Sequence, residues 1–265
     1  MDRLAEFPLN EPRKIRQLRQ KYEATPGNAE FQSELGIALA SGGCTYEAAA
    51  LLRPTRSVWR SSPNANVATS ALAAQTWWNK NWRDFAHRKH ANDRAGALAL
   101  LGDRAVDYWD LPPLLVHLGD FASADAKLDL AEHLYRRVHG LAQRGLPKMN
   151  MVAFAYASQA SLIEVLLLRG KARAALAAHE ALSPNPGNAM AFEMQKVRVL
   201  VANKRDEDAM QCLAGMLVTA EKQRTGYSKT MRIEFIDGAA ELDRLRRRRD
   251  WKKLLEDPLR YSKSK

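Results

Sequence analysis

The sequence predicts an all-α protein, and three observations carry that reading. Alanine (42) and leucine (34) far outnumber the strand-favouring pair valine and isoleucine, which together contribute 16 residues. Proline costs about 3 kcal/mol inside a helix, and it leaves long uninterrupted windows from Pro63 to Pro112, Pro147 to Pro184 and Pro186 to Pro258. No segment alternates apolar and polar residues over strand length between turn residues.

Composition narrows the class further. The chain has 265 residues, of which 27% are charged and 46% apolar, with a mean hydropathy of -0.42. The first figure excludes a polytopic membrane protein and the second a disordered one. Two cysteines, Cys44 and Cys212, are too few for a disulfide scaffold or a four-cysteine zinc site. With no apolar core of signal-peptide length at the start, a reduced, cytoplasmic setting is expected. Met151 to Leu168 has the length of a membrane span, but Ser158, Gln159, Ser161 and Glu164 fall within it, so a buried helix is expected there.

The elements follow in order. Residues 1–28 read as an N-terminal cap, with Ile15 and Leu18 as the apolar positions of a basic helix between Pro12 and Tyr22. Thr25-Pro26-Gly27-Asn28-Ala29, Ser62-Pro63-Asn64-Ala65 and Asn185-Pro186-Gly187-Asn188-Ala189 each place Pro and then Asn before an Ala-rich stretch. Pro ends one helix and Asn caps the next. Asn81, Gly170, Asn203 and Gly226 are read as breaks inside the long windows. Residues 29–225 form a repeat array, and 226–265 a capping helix with a basic tail, docked through Ile233, Ile236 and Ala240.

Leu35-Gly36-Ile37-Ala38-Leu39, with Gly43 and Ala48 following, resembles the tetratricopeptide pattern. There, a Leu-Gly pair and a large residue in helix A precede an inter-helix turn and a small residue in helix B. The same offsets place large residues at Leu39, Trp77, Leu115, Leu166 and Leu200. Turns then fall at Gly43, Asn81, Gly119, Gly170 and Lys204, and small residues at Ala48, Ala86, Ala124, Ala175 and Ala209. The resemblance spans roughly Ala29 to Leu217. Steps of 38, 38, 51 and 34 residues depart from the family's unit of about 34. Pro112-Pro113 interrupts the third copy, an insertion follows around Gly140 to Asn150, and only the first copy keeps the Leu-Gly pair.

The resemblance implies a right-handed superhelical α-solenoid of about five degenerate repeats with a C-terminal capping helix. It implies a non-enzymatic adaptor whose concave helix-A face takes a short peptide or helical segment of a partner protein. Carried over copy by copy, that face holds Ala68, Ala71, Gln75 and Trp78, then Ala157, Ala160, Glu164 and Leu167, then Ala191, Met194, Val197 and Val201. A small, apolar face suits either an amphipathic partner or the protein's own flanking helices. The Lys and Asn residues with which some relatives clamp a terminal carboxylate are missing at these positions. Trp77, Trp78 and Trp82 are read as core packing first and as a binding anchor second.

The net charge is +11, and Glu241 to Lys265 alone holds ten basic and five acidic residues. Four consecutive arginines on a helix, Arg246, Arg247, Arg248 and Arg249, would point all around its axis and so remain solvated or meet an acidic surface. With Lys252 and Lys253 they form a basic patch, and the alternative function is nucleic-acid binding through this patch and the Trp cluster. No cofactor or metal is expected. His87 and His90 lack a completing ligand, and Arg88 and Lys89 between them oppose a cation. Cys44 follows Ser41-Gly42-Gly43, but the sequence assigns it no base.

Overall fold

The computed structural model describes residues 2–144, 151–183, 189–223, 236 and 238–263. Helices make up 80% of the described residues, among which there is no strand, only an isolated bridge between Cys44 and Tyr108. The chain divides into two compact units, Met1–Ser161 and Leu162–Lys265. Residues 1–28 pack within the first, and the described part of 226–265 packs within the second. Positions 225 and 226, Gly226 as a break, the Asn185–Asn188 turn, Ile233 and the insertion beyond Arg144 lie outside the described residues.

The first unit begins with a 3-10 helix, Asp2–Glu6, and α1, Arg13–Ala24, whose buried Ile15 packs it on α2, Ala29–Ser41. Asn28 caps α2 as its sequence suggests, its side chain accepting from the amides of Glu30 and Phe31 at 3.0 and 3.1 Å. Asn64 holds the corresponding place before α5 but makes no side-chain cap. The elements α3 (Thr45–Leu52), α4 (Arg56–Trp59), α5 (Ala65–His90) and α6 (Arg94–Leu101) follow. A 3-10 segment, Gly102–Asp107, leads to α7 (Pro112–Ala124) and α8 (Leu128–Arg144). Helices pack mainly on their chain neighbours: α2 on α3, both on α5, α5 on α6, and α7 on α8. The next helix, α9 (Met151–Leu168), begins in this unit and ends in the second.

One closure recurs five times. Gly43, Asn92, Ala126, Gly170 and Lys204 all adopt positive φ, between 56° and 74°. Each donates its amide to the carbonyl three residues back, at 2.9 to 3.1 Å. In each case the next residue donates to the carbonyl five residues before it, at 2.8 or 2.9 Å (Cys44 to Leu39, Asp93 to Arg88, Lys127 to Ala122, Lys171 to Leu166, Arg205 to Leu200). This is the Schellman arrangement, which satisfies the last free carbonyls of a helix. Five residues beyond each turn stands a fully buried alanine: Ala48, Ala97, Ala131, Ala175 and Ala209. The closures join α2 to α3, α5 to α6, α7 to α8, α9 to α10 (Ala172–Glu180), and α11 (Ala189–Ala202) to α12 (Asp206–Gln223).

Copies one, four and five therefore stand in the predicted register, while two and three are corrected. Asn81 is no turn: α5 runs through it, and its side-chain amide donates to the Trp77 carbonyl at 2.7 Å. The turn comes eleven residues later, at Asn92, and the small residue is Ala97 instead of the half-buried Ala86. Gly119 lies inside α7, where a Cβ would meet the Tyr135 ring at 2.5 Å; glycine serves close approach of α8 there. The third turn is Ala126, and Ala124 is exposed. Pro112 and Pro113 open α7, where the missing amide costs nothing.

In the second unit α10 packs on α11, and α11 on α12. Their apolar faces, including Val197, Leu200, Met210, Leu213 and Leu217, close over Ile236, Leu242, Leu245 and Leu254. The C-terminal segment is not one capping helix but a 3-10 turn (Ala240–Leu242) and three short helices: α13 (Asp243–Arg246), α14 (Trp251–Glu256) and α15 (Pro258–Lys263). The arginine run thus leaves the helix at Arg246 and does not wind around one axis.

Candidate functional site

Of the sequence-predicted face, Ala71, Gln75 and Trp78 on α5 are buried. Trp78 packs on Trp82 (5.0 Å between ring centroids) and on Tyr108 (5.2 Å), whose hydroxyl donates to the Ala74 carbonyl at 2.9 Å. The segment before α7 therefore covers this part of the face. Trp77 is half-buried, with the Arg104 guanidinium 5.2 Å from its ring centroid. On α9, Ala160 is half-buried, at the end of the first unit, and Leu167 half-buried in the second. Among the described helices, α9 has the length and hydropathy of a membrane span; a third of it is buried, and Val152 and Leu168 are exposed.

The second unit brings Glu164 and Met194 together in a cleft of about 510 Å³, lined also by Ala191, Gln195, Arg198 and Glu241. Glu164 accepts from the Gln195 side-chain amide at 2.7 Å and from Arg198 at 2.5 Å, and Arg198 reaches Glu241 at 2.5 Å. The cleft is thus polar on one wall, with Met194 half-buried against the unit core. Val201 lies beneath the C-terminal segment, where Arg244 donates to its carbonyl at 2.6 Å and pairs with Asp206.

The basic patch is partly consumed by the fold. Arg246 donates to the carbonyls of Ile236 (2.6 Å) and Ala239 (2.8 Å), and Arg248 pairs with Glu207 and Asp250. Arg247, Arg249, Lys252 and Lys253 are exposed, Lys252 lying 3.7 Å from Glu256.

A second site, which the sequence reading missed, is built in the first unit around the extended segment before α1. Carbonyls of three successive residues meet three different side chains. His133 Nε2 lies 2.9 Å from the Phe7 carbonyl, Trp109 Nε1 donates to Pro8 at 3.2 Å, and Arg137 donates to Leu9 at 3.0 Å. Glu11 then joins a ring of charges: Arg19 and Arg144 each bridge Glu11 and Glu47, at 2.5 to 2.9 Å. Beneath the segment lies a cavity of about 310 Å³, lined by Ile15, Leu39, Gly42, Cys44, Trp109, Arg137 and Arg144 on its floor.

Burial sets the electrostatics here. Asp110, fully buried, accepts from the amides of Tyr46 and Glu47 at the start of α3 (3.1 and 2.7 Å), yet desolvation pushes its carboxyl up to about 7. Desolvation raises the Cys44 thiol to about 12, and burial also lowers the affinity of His133 and Arg137 for their protons. A thiol so placed is a poor nucleophile. The periodicity of α8 did signal Arg137: it lies three residues after Leu134 and four before Leu141, on a buried stripe. Among the described residues no group of His, Cys, Asp and Glu is arranged to hold a metal. No family model, curated protein or solved structure matches the chain.

Proposed function

We propose that the chain is a degenerate tetratricopeptide-like α-solenoid that works in the cytoplasm as a non-enzymatic adaptor, binding a short segment of a partner protein. The observation that carries this reading is the recurrence of one turn-plus-alanine closure at five places. Such arrays recruit partners on the surfaces that their stacked hairpins create. The cleft on α9 and α11 is the binding face of this reading, with Met194 as an adaptable apolar contact and Glu164 and Arg198 as its polar readers. Raised thiol pKa values at both cysteines fit a binding role better than nucleophilic catalysis.

A displayed random-peptide library selected against the full chain tests the proposal. Enriched peptides should lose about tenfold or more in affinity against the Glu164→Ala and Met194→Ala variants, with the helical signal unchanged. A library without enriched sequences, or affinities indifferent to both substitutions, would end this reading. The alternative, nucleic-acid binding through the basic patch and the Trp cluster, rests chiefly on the exposed Arg247, Arg249, Lys252 and Lys253, since Arg246 and Arg248 are engaged within the unit and Trp78 is buried.

A further inference from the structure

The segment Leu4–Glu11 is held in the manner of a bound peptide. Leu4, in the 3-10 helix Asp2–Glu6, is buried at one end, and from Phe7 on the contacts include main-chain carbonyls read by side chains, an aromatic ring against an aromatic floor, and one clamped carboxylate. The Phe7 ring stands 5.4 Å from that of Trp109, which itself stacks on His133 at 5.3 Å. The Arg137 guanidinium lies over the same Trp109 ring, 5.3 Å from its centroid. Recognition of this kind is indifferent to most side chains and selective for a few.

The fit is incomplete, and that is the informative part. Beside the Phe7–Trp109 contact, a cleft of about 310 Å³, partly open to solvent, is lined by Pro8, Asn10 and Glu11 of the segment and by Leu39 and Cys44. Leu4 is fully buried and anchors one end, and the Glu11 clamp holds the other. Between these anchors the floor is under-filled.

We propose that residues 4–11 are a built-in pseudo-ligand, occupying in cis a groove on α8 and the Tyr108–Asp110 turn. The groove would take an extended segment of a partner protein with an aromatic residue followed by proline and, three positions after the proline, an acidic residue. A partner with a larger apolar side chain over the void displaces the strap. Tethering gives the strap an effective concentration in the millimolar range, so the groove stays shut to weak competitors. The groove's residues all belong to the first unit, and the inference is independent of the cleft around Glu164.

The test uses the full chain carrying Phe7→Ala and Glu11→Gln, which loosen the strap and leave the floor intact. A fluorescently labelled peptide spanning Arg3–Pro12 is titrated and its anisotropy read. It should bind the double variant at least tenfold more tightly than the unsubstituted chain. The same peptide with alanine at its Phe and Glu positions should bind at least tenfold more weakly than the native peptide. Should circular dichroism show that the double variant has lost its helices, Phe7→Leu, which keeps an apolar side chain, decides the matter by the same titration. Equal binding of the two peptides to a folded loosened chain, or binding of neither, overturns the proposal.

Discussion

Two glycines with nearly the same backbone separate strain from crowding at single positions. Gly43 and Gly170 both hold positive φ at a helix closure. A Cβ at Gly170 would meet open space, whereas at Gly43 it would stand 2.4 Å from the Val106 carbonyl and 2.9 Å from Phe7. Gly170→Ala should therefore cost only the left-handed penalty, about 1 kcal/mol. Gly43→Ala should cost more, about 3 kcal/mol once backbone must move. Paired urea melts check the difference. At Asp110 the sign of the pH effect follows from a pKa raised above its unfolded value. The stabilising form is the protonated one, present below about 4 and lost as pH rises through about 7. Asp110→Asn keeps only one acceptor oxygen for two amides and should be less stable than the unsubstituted chain at pH 5. The gap should narrow by pH 8, and a constant gap in urea melts across that range would contradict the assignment. His133, with its pKa lowered by burial, acts oppositely: its contribution is full above about 6.5 and falls as pH drops.

At the scale of the helix and its turn, the closures explain what the sequence disclosed and what it hid. Ala and Leu abundance and proline placement made the helices legible, and so did the three copies whose turn is Gly43, Gly170 or Lys204. In two copies the glycine and asparagine that stand at the expected turn do other work. Gly119 instead makes room for a tyrosine ring, and Asn81 bonds back to the preceding helical turn. Ala126, which forms the third closure, has no turn propensity at all; tertiary packing of α7 on α8 holds it left-handed at φ 56°. That strain is removable. Ala126→Gly should stabilise the chain by about 0.5–1 kcal/mol, read as a rise in the thermal midpoint. The strap groove was illegible for a different reason: its parts, Phe7, Trp109, His133 and Arg137, are separated by up to 130 residues and share no local spacing.

Taken whole, the protein turns several of its arginines inward. Arg137, Arg144 and Arg19 serve the first unit, and Arg244, Arg246 and Arg248 the second, each on carbonyls or carboxylates of its own unit. Each ion pair uses one acid with one arginine, so the net charge of +11 is unchanged, but these arginines are engaged within their own units. Chemical reactivity follows the same inward pattern. Both thiols have their pKa raised, chiefly by burial. A disulfide reagent at pH 8 should label neither quickly in the folded chain and both in denaturant; rapid labelling of Cys44 in the native state would show that the first unit opens readily.

The five fully buried alanines lie 49, 34, 44 and 34 residues apart, yet every one stands five residues past its left-handed turn. Variation in length thus falls between the latches, in the helices and their connections, and the latches themselves do not stretch. The helices that the latches join range from 8 residues in α3 to 26 in α5, so hairpin length varies while the closure does not. From latch to latch the steps are as uneven as those between the alanines; what recurs is the latch with its alanine, at no fixed interval.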